Sequence, residues 1–138
     1  MGTAQSSNPA DHALRVRAAM LSGRYLGGHA RPGSVRWVDT MTGRWGSCTP
    51  SAGTIRISRR VEHMPVHVRD YVLLHELTHL LVPGHGPNFW TLMASYPHVD
   101  RARGFLEGVD HVHSRDGEGR APALEGEKSG QSEMSAPG

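Results

Sequence analysis

With 138 residues the chain is long enough for one domain with one hydrophobic core and too short to add a second catalytic domain. Its net charge of +2 divides into 12 Arg against 8 Asp+Glu over residues 1–113 and 3 basic against 5 acidic over residues 114–138, with no basic run of the kind that marks a polyanion binder. One cysteine, Cys48, excludes an internal disulfide framework and suits a reducing compartment, and the lack of any run of about 18 apolar residues excludes a membrane-spanning helix.

Residues 1–10 carry neither the charged start nor the apolar stretch of a signal peptide, so a flexible N-terminus and a cytoplasmic location are expected. Asn8, Pro9 and Asp11 then read as a helix start: a cap, a proline at the first helical position and an acidic side chain three after the cap. Leu14, Ala18, Leu21 and Tyr25 recur at helical spacing, and the helix should end near Gly27 and Gly28. Val35–Val38 and Thr54–Ser58 alternate apolar and polar residues, as short strands do. Between them residues 42–48 can hold a further strand, followed by a turn over Pro50–Gly53, so a small antiparallel sheet is predicted.

Pro65 suits the first turn of a long helix reaching Leu81, broken at Val82, Pro83 and Gly84. At 100° per residue Val66, Leu73, Leu77 and Leu80 fall on one side and Val68, Val72, His75 and His79 on the other. Apolar residues nearly all round predict a central, buried helix. A further helix should start at Pro87, carry Phe89, Trp90, Leu92 and Met93, and end at Tyr96 and Pro97; a last one should span about Val99 to Glu107. The Gly-, Ser-, Glu- and Pro-rich residues 113–138 are expected to be a disordered tail. A sheet followed by helices makes the fold class α+β.

The chemistry lies in His75-Glu76-Leu77-Thr78-His79. On a helix the i, i+4 spacing sets both imidazoles one turn apart on one face, able to grip one ion, and turns Glu76 about 100° aside, where its carboxylate can reach a water on the metal without being a ligand. His85, just past the helix break, supplies a third nitrogen, and three protein nitrogens with one open position are a catalytic zinc arrangement. With 10 His in the chain, the five-residue motif arises by accident in roughly 3% of such sequences, and a third His at one fixed offset reduces that to about 0.2%. The candidates are therefore His75, His79 and His85 as ligands of Zn2+ and Glu76 as general base.

Other histidines show no paired ligand spacing on a buried face: His12, His29, His63, His67, His98, His111 and His113. Cys48 reads as a small buried residue rather than a thiolate on the metal, and Met93 as core. Asp70 reads as charge complementarity to the N-terminus of its helix.

Together, Arg44-Trp45-Gly46-Ser47-Cys48, Asp70-Tyr71-Val72 running into the histidine motif, and His85 followed by Phe89-Trp90 resemble the YgjP-like metallopeptidases, relatives of the SprT-like and other minimal zincins. The likeness covers roughly residues 12–107 and implies a zincin-like metallopeptidase domain over 11–112, with a small sheet, a central ligand helix and flanking helices. It places Arg44, Trp45, Gly46 and Ser47 on a hairpin beside a substrate cleft, where an edge strand can pair with an extended peptide. It puts Phe89 and Trp90 beneath the site.

The expected activity is zinc-dependent hydrolysis of peptide bonds, with a peptide or protein as substrate and Glu76 activating the water. Arg44, Tyr71, Tyr96 and His98 are candidates to stabilise the oxyanion. Two other readings stand beside it. One is a metal-dependent nucleoside triphosphate (UTP) pyrophosphatase, an activity attributed to YgjP-like proteins, although the chain has no phosphate-cradling glycine loop and no acidic cluster for Mg2+. The other is a non-catalytic zinc-stabilised binding module with DNA-bound partners, in which Glu76 would have no use.

Overall fold

The computed structural model describes residues 8–39, 41 and 43–115. In chain order it contains α1 (Pro9–Tyr25), β1 (Ser34–Val38), β2 (Gly46–Thr49), β3 (Thr54–Ser58), a 3-10 turn (Arg59–His63), α2 (Val66–His79), α3 (Pro87–Met93) and α4 (Val99–Arg115). This is an α+β domain consistent with a minimal zincin-like layout. The expected tail falls on residues that, from 116 onward, lie outside the described ones.

The start of α1 follows the sequence signals. Asn8 Oδ1 accepts from the backbone N–H groups of Ala10 (2.8 Å) and Asp11 (3.3 Å). The Asp11 carboxylate accepts from the Trp37 N–H at 2.9 Å and so fastens α1 to β1.

The sheet is mixed, not antiparallel throughout. Its order is β1-β3-β2, with β2 antiparallel to β3 but β1 parallel to β3 in a register from Ser34↔Thr54 to Val38↔Ser58. The Gly53 carbonyl accepts from both Gly33 N–H (2.7 Å) and Ser34 N–H (3.2 Å), which aligns the starts of β1 and β3 side by side. The segment after β1 must then cross to the far side before the β2–β3 hairpin returns β3 to the middle. Alternation in the sequence fixes where strands lie and carries nothing about this order. As a result β2 is an edge strand. Val35, Ile55 and Cys48 share a register row and all point into the core.

Helix α2 runs through the centre, and every residue from Asp70 to His79 is buried. Val66, expected on a core-facing side, is instead 52% exposed because it sits in the first turn, beyond the edge of the core. The helix closes earlier than Leu81, since Leu81 N–H and Val82 N–H both turn to the Thr78 carbonyl at 2.9 Å. Asp70 is not explained by the helix N-terminus: its two oxygens accept from Arg17 Nε (2.9 Å) and Nη2 (2.6 Å), a bidentate tie between α1 and α2.

Helix α3 ends at Met93 rather than at Tyr96, and the chain continues in turns, with Tyr96 N–H donating to the Met93 carbonyl at 2.9 Å. Helix α4 runs past Glu107 to Arg115. Its core contacts, Val99, Ala102, Leu106 and Val109, continue the helical spacing beyond the expected end. Among the described residues no helix is long and apolar enough to cross a membrane.

Candidate metal centre

Helix α2 sets His75 and His79 one turn apart, with ring centroids 4.9 Å from each other. The chain then reverses through Val82, Pro83 and Gly84, whose φ of 71° favours a residue without Cβ, and delivers His85 back to the same face. Its ring lies 5.1 Å from that of His75 and 4.8 Å from that of His79. One nitrogen from each of the three falls within 4.8 Å of the others, a group that can hold a metal ion.

Hydrogen bonding sets the tautomer of His79. Its Nδ1 lies 3.1 Å from the Val82 carbonyl, an acceptor only, so Nδ1 carries the proton and Nε2 presents a lone pair. That Nε2 stands 3.2 Å from His85 Nε2. Two imidazole nitrogens bound to one tetrahedral zinc at about 2.0–2.1 Å lie about 3.3 Å apart, so the pair already has the spacing of ligands to a shared ion.

The electrostatics agree. Burial, then the neighbouring rings of His79 and His85 and the charge of Arg103, hold the His75 pKa well below its ordinary value. Burial lowers His79 to about 4, opposed by its bond to the Val82 carbonyl and aided by His85. Burial and then Arg103 lower His85. All three rings are therefore neutral near pH 7, the form that donates to a metal. His85 is only half-buried, so the centre opens to solvent on its side.

Phe89, fully buried, packs against all three rings at centroid distances of 4.8, 4.6 and 5.0 Å, and Trp90 lies 6.3 Å from His85. Both occupy the position the sequence suggested. Met93 is core: its sulfur sits 3.3 Å from Thr78 Oγ1, which also donates to the Leu74 carbonyl at 2.8 Å.

Glu76 is wholly buried on the flank of α2 that faces the edge strand, with Oε2 3.5 Å from His75 Nδ1. Gly46 makes this position available, since a Cβ there would stand 3.1 Å from Glu76 Cγ and 3.2 Å from Ile57 Cδ1. Trp45 (1% exposed) and Ser47 (6%) are also buried, with the Arg60 guanidinium 4.2 Å above the Trp45 ring and Arg56 Nε donating to Ser47 Oγ at 3.4 Å. Gly46, Ser47 and Cys48 are all buried, so in β2 only Thr49 is exposed. Arg44 is half-buried, and its carbonyl accepts from Arg60 Nη2 at 3.3 Å.

Two oxyanion candidates have other commitments. Tyr96 donates its hydroxyl to the His67 carbonyl at 2.7 Å. His98 packs on His67 and Tyr96 near the start of α2; His67 is itself about 12 Å along the helix axis from His75. Tyr71 is buried 5.9 Å, ring to ring, from His75. Cys48 is buried too, and burial, then the nearby Glu76 charge, push its thiol up to about 12; among the described residues the group that can hold a metal is the three histidines, without it. The residue sequence reasoning missed is Arg103, whose charge reaches two of the three imidazoles from α4. Nothing in its spacing marks it.

A family model described as YgjP-like, metallopeptidase domain matches residues 25–107, more than half of the chain and the whole of the histidine centre. No curated protein and no solved structure matches.

Proposed function

Because the chain belongs to the YgjP-like family, we propose that it is a zinc-dependent peptidase in which His75, His79 and His85 hold the metal and Glu76 is the general base. The observation that carries this reading is the 3.2 Å approach of His79 Nε2 to His85 Nε2 with the His79 proton assigned to the Val82 side. A bound zinc would polarise the substrate carbonyl and acidify a water beside it.

The protein's own groups do the rest. Glu76, on the flank between the histidines and β2, takes a proton from the attacking water and returns it to the leaving amine. The Arg44–Ser47 stretch leading into β2 lies along the flank of the centre where Glu76 sits and is the side on which the substrate is expected to lie. Phe89 and Trp90 exclude water from beneath the centre and hold the rings in place. The buried free thiol of Cys48 suits a reducing compartment, and a cytoplasmic site of action belongs to the same proposal.

Zinc-loaded wild type and Glu76→Gln, assayed side by side on a peptide mixture and on UTP, test this. Peptide cleavage by the wild type, falling roughly 100-fold or more in Glu76→Gln at equal zinc content, is expected. Full peptide turnover by Glu76→Gln, or hydrolysis of UTP alone, overturns it.

A further inference from the structure

Apart from the histidine centre, α1 and the loop that follows it enclose a cavity of about 330 Å³. Arg15, Ala19 and Ser22, spaced i, i+4 and i+7 along α1, form one wall, and Ala30, Arg31 and Pro32 form the other. Ser22 ties the walls together: its buried hydroxyl donates to the Ala30 carbonyl at 2.7 Å and accepts from the Ala30 N–H at 3.2 Å. With only methyl groups at Ala19 and Ala30, the space between the two arginines stays open.

Arg31 Nε donates to the Gly28 carbonyl at 3.1 Å, which holds the guanidinium in place and leaves both of its Nη groups with hydrogens to donate. Arg15 is half-buried, and among the described residues neither arginine has an ion-pair partner. Asp11, one turn before Arg15, gives its carboxylate to the Trp37 N–H at 2.9 Å. No acidic side chain among the described residues lines the cavity.

Two unpaired cations beside one cavity suit two negative charges on one small ligand. A carboxylate supplies a single charge, whereas a phosphomonoester carries about −1.5 to −2 near pH 7 and offers three acceptor oxygens to guanidinium forks. The described walls hold no aromatic ring on which a nucleobase could stack, and the volume leaves room for a short aliphatic carrier beside the phosphoryl group.

We propose that the Arg15–Arg31 cavity binds the phosphoryl group of a small aliphatic phosphomonoester. None of His75, Glu76, His79 and His85 lines it, so this site stands independently of the peptidase reading.

The test follows amide NMR spectra of the isotope-labelled full chain, zinc-loaded and again after chelator treatment, during titration with glycerol phosphate, inorganic phosphate and glycerate. Wild type should bind glycerol phosphate with a Kd of about 1 mM or below, with or without zinc, and shift the resonances of Ala19, Gly28, Ala30 and Arg31. Glycerate should bind roughly 10-fold more weakly or less tightly still, and inorganic phosphate less tightly than glycerol phosphate. Arg15→Met and Arg31→Met should each weaken glycerol phosphate binding by roughly 10- to 100-fold, with partial recovery in Arg31→Lys. Ala19→Glu, which sets a carboxylate between the two arginines, should abolish it. Arg101→Met removes the same charge from α4 and should leave it unchanged; the spectra themselves show that each variant is folded.

The proposal is overturned if glycerate or inorganic phosphate binds as tightly as glycerol phosphate, or if Arg101→Met weakens binding as much as Arg15→Met does. Shifts confined to the surroundings of His85 that vanish on zinc removal would place the anion on the metal and overturn it as well.

Discussion

Gly46 and Glu76 meet so closely that a single methyl on Gly46 would come within 3.1 Å of Glu76 Cγ. The edge strand is therefore the wall against which the carboxylate is positioned. Gly46→Ala must push Glu76 or part β2 from α2. We expect the variant to lose about 1–3 kcal/mol of stability and, at equal zinc content, to lose turnover by roughly 10- to 100-fold. Chemical denaturation and peptide assays on zinc-loaded protein check both; unchanged turnover would mean that β2 does not position Glu76.

Cys48 shares a register row with Val35 and Ile55 and is buried among them, which raises its thiol from 9.0 to about 12. At pH 8 the folded protein should react with a thiol reagent at a rate roughly a thousandfold below that of the unfolded chain. The sign for stability follows from the native state keeping the proton longer: the contribution is complete below about pH 9 and is lost as pH rises towards about 12. Denaturation midpoints of wild type and Cys48→Ala should converge or cross over that interval. A midpoint difference independent of pH would contradict it.

The Arg17–Asp70 pair joins α1 to the ligand helix across 53 positions of sequence, with Asp70 buried and Arg17 half-exposed (side chains 9% and 41% exposed). Asp70→Asn leaves the guanidinium with one poorer acceptor, and we expect a cost of about 1–2 kcal/mol, limited by solvent screening at Arg17. Urea denaturation measures it. Zinc affinity should stay as in the wild type, because the pair lies at the other end of α2 from His79.

Zinc should also stabilise the fold through linkage. At a free concentration about 100 times Kd the expected gain is about 2.7 kcal/mol. A chelator should reverse the shift in melting temperature, and His79→Ala should show little of it.

Much of this was legible in the sequence, for local reasons. Pro65 and Pro87 mark the starts of α2 and α3, Asn8 with Pro9 marks α1, and the i, i+4 histidines with His85 after the Pro83–Gly84 break mark the centre. What escaped depends on distant partners. Parallel pairing of β1 with β3 is set by a crossover that alternation does not encode. Asp70 looked like a helix-end charge because its partner Arg17 lies in another helix. The place of Arg103 over the Trp90 ring, with its charge reaching His75 and His85, is set by the packing of α4 and not by any local spacing. The extension of α4 to Arg115 continues a spacing present in the sequence, Val109 standing three after Leu106, across Gly108, a weak helix former.

The most direct test of the metal centre is zinc K-edge X-ray absorption on the full chain loaded with one equivalent of zinc. Three imidazole nitrogens at about 2.0–2.1 Å plus one further light-atom ligand are predicted, with one imidazole lost in His85→Ala. A first shell of only two imidazoles in the wild type, or a spectrum unaltered by His85→Ala, would contradict the assignment of His85.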